Sequence, residues 1–491
     1  MSAEPKQGFA RGLAFQGISQ IAQSAITLLL MPLVIKQAGA GPYGSYVVLS
    51  SVITLTTILC SLGAGFKARR NLPSASDAMA RAACFLPSAS FQLLTSGASI
   101  VILLVALPLL QRHVFRGEIG LQPVTIVLAV IALYTNNLAD DYFRYTHQIP
   151  KLSKAIIIRS LLHPALVLAA PLFHFPLTAD TLILAQAAAY LAVSSVLWWI
   201  IHQEIPLKFC LDDRAQHRAD IALGFPLITA VLVENLLAAA DRYILAALLS
   251  PLAVGAYAAA CAIGALVLLL PRVANSALLP ALSHAVDAGR TEDARKMLGN
   301  FLQVFLMLAL PFIAGGILLG KPLLTILANA EVAALAHWVV PLTAVGGTLY
   351  GVSYLMFNAL FVERKTSGWF KANATAAIVS LVFNVILVGW FRRIEAAAFV
   401  SVLSYAICLF IVRRSVGAWR LPLDYGLLGK SALAAGGMSL VLAGAIRLPL
   451  TFSIQVWSVA LLAVAGAGAY FALLRLFGGW NPMQFRRALG L

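Results

Sequence analysis

The sequence predicts an all-α polytopic membrane protein of about fourteen transmembrane helices: two six-helix lobes in parallel repeat, plus two C-terminal helices. Three observations carry that prediction. First, 61% of the 491 residues are hydrophobic and only 11% are charged, too little polar surface to cover a soluble body of this size. Second, apolar runs of about 20 residues, the length that spans a hydrocarbon core, recur along the chain between short charged loops. Third, Lys and Arg alternate in density from one loop to the next.

The runs place spans at 12–35, 43–64, 82–110, 121–142, 153–173, 181–201, 221–249, 252–280, 297–319, 333–358, 368–390, 394–412, 427–446 and 454–477. With both termini on the inner side, twenty-six of the thirty-five Lys and Arg fall in inner loops and tails, Lys67, Arg144 and Arg159 among them. Seven fall outside, and Arg242 and Arg272 lie within spans. That bias is a positive-inside signal. Trp198, Trp199, Trp369, Trp390, Trp457 and Trp480 stand near proposed span ends, at headgroup level. Met1–Arg11 is polar, and no cleavable leader is expected.

Between spans six and seven, DDRAQHRAD occupies the longest polar connection and reads as the join of two halves. A shift of 211 residues lays Gly44-Ser45-Tyr46 on Gly255-Ala256-Tyr257 and Gln23-Ser24 on Glu234-Asn235. Six spans per half keep both halves in one orientation, with a pseudo-two-fold axis along the membrane normal. The expected organisation is an N-terminal lobe (1–204), an inner connection (205–220), a C-terminal lobe (221–414), and two extra spans with an inner tail (415–491).

Chemistry concentrates in span seven, where Glu234, Asn235, Asp241 and Arg242 interrupt an apolar run. A charge near the bilayer centre costs about 2.5–3.5 kcal/mol on insertion scales, so such residues mark candidate cavity or coupling sites. Glu234 and Asp241 are two turns apart and share a helix face. Their plainer reading is a structural ion pair with Arg242 snorkelling outward. Span one carries Gln16, Gln20, Gln23 and Thr27 as one polar stripe, either a cavity wall for sugar hydroxyls or polar glue between helices. Arg272 follows Pro271 inside span eight, and its planar fork suits a carboxylate or a pyrophosphate. At the inner end of span four, Asp140 and Asp141 stand at i,i+4 and i,i+3 to Arg144, ordinary surface pairings or an inner-mouth gate to which Lys67 would contribute.

Several classes are excluded. The net charge of +16 is scattered through loops and forms no nucleic-acid footprint. The five cysteines show no metal-ligand spacing and read as free apolar thiols. No P-loop, HExxH or nucleophile elbow is present, so no cofactor, metal or enzyme activity is expected.

The N-terminal FARGLAFQGISQIAQSAITLLLMPLVIKQAGAGPYGSYVVL resembles the opening of polysaccharide (O-antigen, Wzx-type) flippases. The likeness continues at ADRYILAALLSPLAVGAYAAA, at LPRVANSALLPALSHAVDAG and, more loosely, at FNVILVGWFRRIEAAAFVSVLSYAI, covering residues 10 to about 412. These patterns are diffuse and say nothing about the glycan. Spans thirteen and fourteen carry none of them. Resemblance to this branch of the multidrug/oligosaccharidyl-lipid/polysaccharide exporter superfamily implies a MATE-like fold of two lobes around a central cavity. It also implies transfer of a polyprenyl-pyrophosphate-linked oligosaccharide to the outer leaflet of a bacterial inner membrane, with both termini cytoplasmic. The implied partners are that lipid-linked oligosaccharide, the bilayer, and the polymerase and chain-length machinery of polysaccharide assembly. The coupling ion, H⁺ or Na⁺ if any, stays open. The rival readings are a cation-coupled multidrug exporter, a lipid II flippase and, from a different class, a membrane polymerase or ligase.

Overall fold

In a computed structural model, residues 19, 22–26, 28–114, 122–211, 214–417, 419, 421–447 and 456–479 are described. Among them there is no strand, and thirteen helices are long and apolar enough to cross a membrane. A shorter apolar helix, α1 (Ala22–Ala38), stands in the segment expected as span one. The protein divides into two compact units, Met1–Gly255 and Ala256–Leu491.

The first unit continues with α2 (Ala40–Cys60), a short α3 (Phe66–Asn71), α4 (Ala78–Leu109), α5 (Pro123–Tyr145), α6 (Ile149–Ala169), α7 (Ala179–Glu204) and α8 (Arg214–Leu248), and takes in the start of α9 (Pro251–Gly264). Helix starts follow local chemistry. Asp77 accepts the Ala80 backbone N–H at 2.7 Å, and Thr178 caps α7, each satisfying a donor that the first turn leaves open. The core gathers Phe85, Leu138, Tyr142, Phe143, Leu197 and Ile201 from α4, α5 and α7. Tyr142 donates its hydroxyl to Glu204 at 2.9 Å, and Gln148 and Lys151 complete that carboxylate's partners.

The second unit contains α10 (Leu269–Asp287), α11 (Thr291–Leu327), α12 (Ala330–Ala336), α13 (Val339–Val362), α14 (Ser367–Phe391), α15 (Ile394–Val416), α16 (Tyr425–Arg447) and α17 (Val456–Leu476). Helix α15 packs on α13 and α14, while α16 and α17 pair and lie against α11. The two C-terminal helices are therefore integral to this unit. Met438, Leu442, Tyr470 and Leu474 share a core with Met307, and the Tyr470 hydroxyl donates to the Met307 carbonyl at 2.6 Å.

Three expectations need correction. Residues 214–220 of the expected inner connection are helical, forming the first two turns of α8. The expected continuous span 252–280 is broken by a 3₁₀ turn at Ala265–Leu268 between α9 and α10. Pro271 has no N–H for the carbonyl of Val267, and the tighter turn absorbs that loss. Trp198 is a packing residue rather than an interface anchor, because its indole N–H donates to the Thr135 carbonyl at 3.0 Å. Trp199, Trp390 and Trp457 are exposed near their helix ends, as an interfacial ring would be.

Candidate functional site

Helix α8 carries the residues singled out in span seven. Asp241 is buried at 8% exposure, and its Oδ1 accepts the backbone N–H of Arg242 at 2.8 Å. Glu234 and Arg242 are half-buried. Asn235 donates its amide to the Val231 carbonyl of its own helix at 2.8 Å. The acids thus lie one above the other on α8, the deeper burial falling on Asp241. In α1 Gln23 is half-buried, whereas Gln16, Gln20 and Thr27 lie outside the described residues. Arg272 is exposed in the first turn of α10, within the second unit, beside a buried Pro271.

The start of α8 is clamped to the segment that follows α2. Asp220, itself buried, accepts the backbone N–H groups of Lys67 at 2.7 Å and Gly65 at 3.2 Å. Lys67 donates its ammonium to Gln216 at 3.3 Å, and Gln92 donates to the Ala64 carbonyl at 3.0 Å. The two backbones meet at Gly63 and Gly224. A methyl on Gly63 would stand 2.7 Å from the Phe225 nitrogen, and its φ of +74° is one that a side chain resists. Near the other end of α2, Gly44 meets Gly255 of α9, where a methyl on Gly44 would lie 2.5 Å from the Gly255 nitrogen. Sequence reasoning missed Asp220, because it read DDRAQHRAD as a loop. Removing the carboxylate forfeits two charge-assisted hydrogen bonds. Asp220→Ala is therefore expected to speed hydrogen exchange at Gly65 and Lys67 by at least about tenfold, for a loss of roughly 1.5–3 kcal/mol per bond. Unchanged exchange at both amides would show that the clamp is not held in solution.

The inner-mouth acids pair differently from the expected pattern. Arg144 reaches Asp141 at 3.4 Å, an exposed i,i+3 pair of the expected kind. Asp140 does not pair with Arg144. Its Oδ2 bonds Arg159 of α6 at 2.8 Å, with both side chains only 9% exposed. Arg159, expected as a loop charge, lies ten residues into α6, about 15 Å along its axis. A guanidinium at that depth must find an anion, and it leaves the surface for Asp140. Arg159 also donates to the Asn136 carbonyl oxygen at 2.6 Å and lies 5.4 Å from the centre of the Tyr190 ring of α7. One turn further, buried His163 has its ring 5.9 Å from that of Tyr46 on α2. Ser50 of α2 reaches Gln186 of α7 at 3.5 Å. A polar seam thus runs through the first unit between α2, α5, α6 and α7.

Each unit also holds a cavity. That in the first unit measures about 1010 Å³ and is lined by the starts of α2, α7 and α9 with Gln111 and Gln122. That in the second measures about 320 Å³ and is apolar, walled by α11, α16 and α17 through residues such as Phe312, Leu319, Met438 and Phe471.

Comparison with known proteins gives a family and a fold. Residues 9–286 match the family described as polysaccharide biosynthesis protein, and residues 226–390 match MatE. No curated protein matches the chain. Among solved structures, the lipid II flippase MurJ in an inward closed conformation is similar at a TM-score of 0.75 and 13% identity, covering 97% of this chain and 100% of that one. An inward-facing multidrug resistance MATE family transporter of the MOP superfamily is similar at 0.64 and 14% identity, covering 81% and 95%. A Vibrio cholerae MATE transporter is similar at 0.56 and 12% identity, covering 84% and 95%. At these identities the structures establish the fold. With its family match extending over more than half its length, the chain belongs to the polysaccharide biosynthesis protein family, within the multidrug/oligosaccharidyl-lipid/polysaccharide exporter superfamily of membrane transporters.

Proposed function

We propose that this protein is a flippase that carries a polyprenyl-pyrophosphate-linked oligosaccharide from the inner to the outer leaflet of a bacterial inner membrane, for O-antigen, capsule or exopolysaccharide assembly. The carrying observation is α8, a span-length helix that holds Asp241 buried and Glu234 and Arg242 half-buried within an apolar run. A membrane protein keeps such groups where they meet water, one another or a charged cargo. The sides are those of the charge bias, with both termini cytoplasmic, and the lobes are 1–204 and 221–414, with 415–491 outside the repeat. Alternating access would expose the cavity first inward and then outward. Arg272, exposed at the head of α10, suits the pyrophosphate, and the apolar cavity walled by α16 and α17 suits part of the isoprenoid chain. Moving two negative charges outward at about 100 mV is favourable by roughly 4.6 kcal/mol, enough to bias net transport. Glu234 would then bind H⁺ or Na⁺ while the empty protein resets.

Deletion is expected to strand lipid-linked oligosaccharide on the cytoplasmic face while cells keep growing and lose surface polysaccharide. Accumulated lipid II with arrested growth would instead favour the second reading, the cargo named for the flippase of similar fold. Normal distribution of both lipids would end the proposal. Glu234→Gln is expected to bind substrate normally yet turn over about tenfold more slowly, the cost of about 1.4 kcal/mol on the reset step. An unchanged rate in a reconstituted flipping assay would remove that role.

A further inference from the structure

We propose that the cavity of about 1010 Å³ in the first unit is an oligosaccharide site, selective for neutral or amine-bearing sugars. Its lining offers hydroxyls from Ser45 and Ser250, amides from Gln111 and Gln122, a carboxylate from Asp180 and the ring of Phe175, which is 61% exposed. A few convergent polar groups beside an aromatic face mark a small-molecule site, and the volume is at the top of the usual range of about 300–1,000 Å³. The rim is built before any ligand arrives. Asp180 accepts the Gln122 backbone N–H at 3.2 Å, and the Thr181 hydroxyl donates to the Pro176 carbonyl at 2.7 Å.

The charge of the lining decides the class. No Lys, Arg or His lines the cavity, and its one ionisable group is Asp180. Helix starts would draw an anion, but two of them are already capped from within. Thr178 accepts the Thr181 N–H at 3.3 Å, Ser250 accepts the Ala253 N–H at 3.2 Å, and Asp180 adds negative charge in the first turn of α7. A pyrophosphate or a uronic acid therefore finds no counter-charge here, whereas sugar hydroxyls find donors and acceptors and an amino sugar finds a carboxylate. In the proposed orientation the cavity opens at the outer face, so it would hold the glycan once the pyrophosphate has left the cationic side. That placement rests on the flippase reading. The binding chemistry does not.

The test uses the full chain in lipid nanodiscs with three probes, maltotriose, the glucosamine trimer and trigalacturonate, read by saturation-transfer NMR. The wild type should receive transfer to the first two and none to the third. Asp180→Asn keeps an acceptor for Gln122 and should weaken the glucosamine trimer roughly tenfold, about 1.4 kcal/mol, while sparing maltotriose. Phe175→Ala should weaken both. Transfer to neither neutral nor amino trimer, equal transfer to trigalacturonate, or signals unchanged in both variants would each overturn the proposal. Flipping is measured on the same preparations. A wild type that flips but binds no trimer removes this site and leaves the transport reading standing, and binding without flipping does the reverse.

Discussion

Asp140→Ala should lower the stability of the purified protein by about 3–5 kcal/mol, because it leaves Arg159 buried without its anion. Both side chains are 9% exposed, and the pair bridges α5 to α6 at 2.8 Å with Asn136 as a second acceptor. The size of the effect comes from the stranded charge, more than from the attraction that is lost. An Asp140→Leu/Arg159→Met double variant should therefore regain most of the lost stability, since a packed apolar pair of similar volume is often as stable as an ion pair. Thermal melting in detergent checks this. If Asp140→Ala melts with the wild type, or the double variant is worse than either single change, the pair is not sealed inside the unit.

The second large effect belongs to Gly44. A methyl there would overlap the Pro251 carbonyl and lie 2.5 Å from the Gly255 nitrogen, and backbone cannot turn aside as a side chain can. Gly44→Ala should cost about 1–3 kcal/mol by overpacking and should reduce flipping at least tenfold, because α2 and α9 cannot close against each other. Gly255→Ala meets the Ala40 carbonyl and should behave alike. Gly41→Ala, one turn away with open space around its added methyl, is the control and should leave transport unchanged. Full transport by both Gly44→Ala and Gly255→Ala would show that this approach is not needed in the working cycle.

What the sequence made legible follows from what is periodic in it. Span length and loop charge are sums over many residues, so the helical membrane fold and the positions of most helices could be read directly. The 211-residue shift paired Gly44 with Gly255, and these two are in contact. Pairing between helices was hidden. Asp140 had Arg144 at an ideal local spacing, and nothing in one dimension could show that burial would favour Arg159, nineteen residues on. Asp220 was hidden for a related reason. A polar, charged stretch reads as a loop, yet its last turn packs against Gly63–Lys67 and continues into α8. The break after Gly264 was visible as Pro271 but was given too little weight, since proline is tolerated within membrane helices. The sugar-binding cavity joins residues from five separated segments and has no linear signature.

The central claim is that ionisable groups held within the spans serve the passage of a glycan-bearing anion. Proteoliposomes made with fluorescent lipid-linked oligosaccharide and a dithionite quench test it directly. The account predicts that wild-type protein renders the inner-leaflet pool accessible within minutes, and that Arg272→Ala, lacking the pyrophosphate's partner, is slower by about tenfold or more for a loss of roughly 1.5–3 kcal/mol. Equal quenching with and without the protein, or equal rates for wild type and Arg272→Ala, would contradict it.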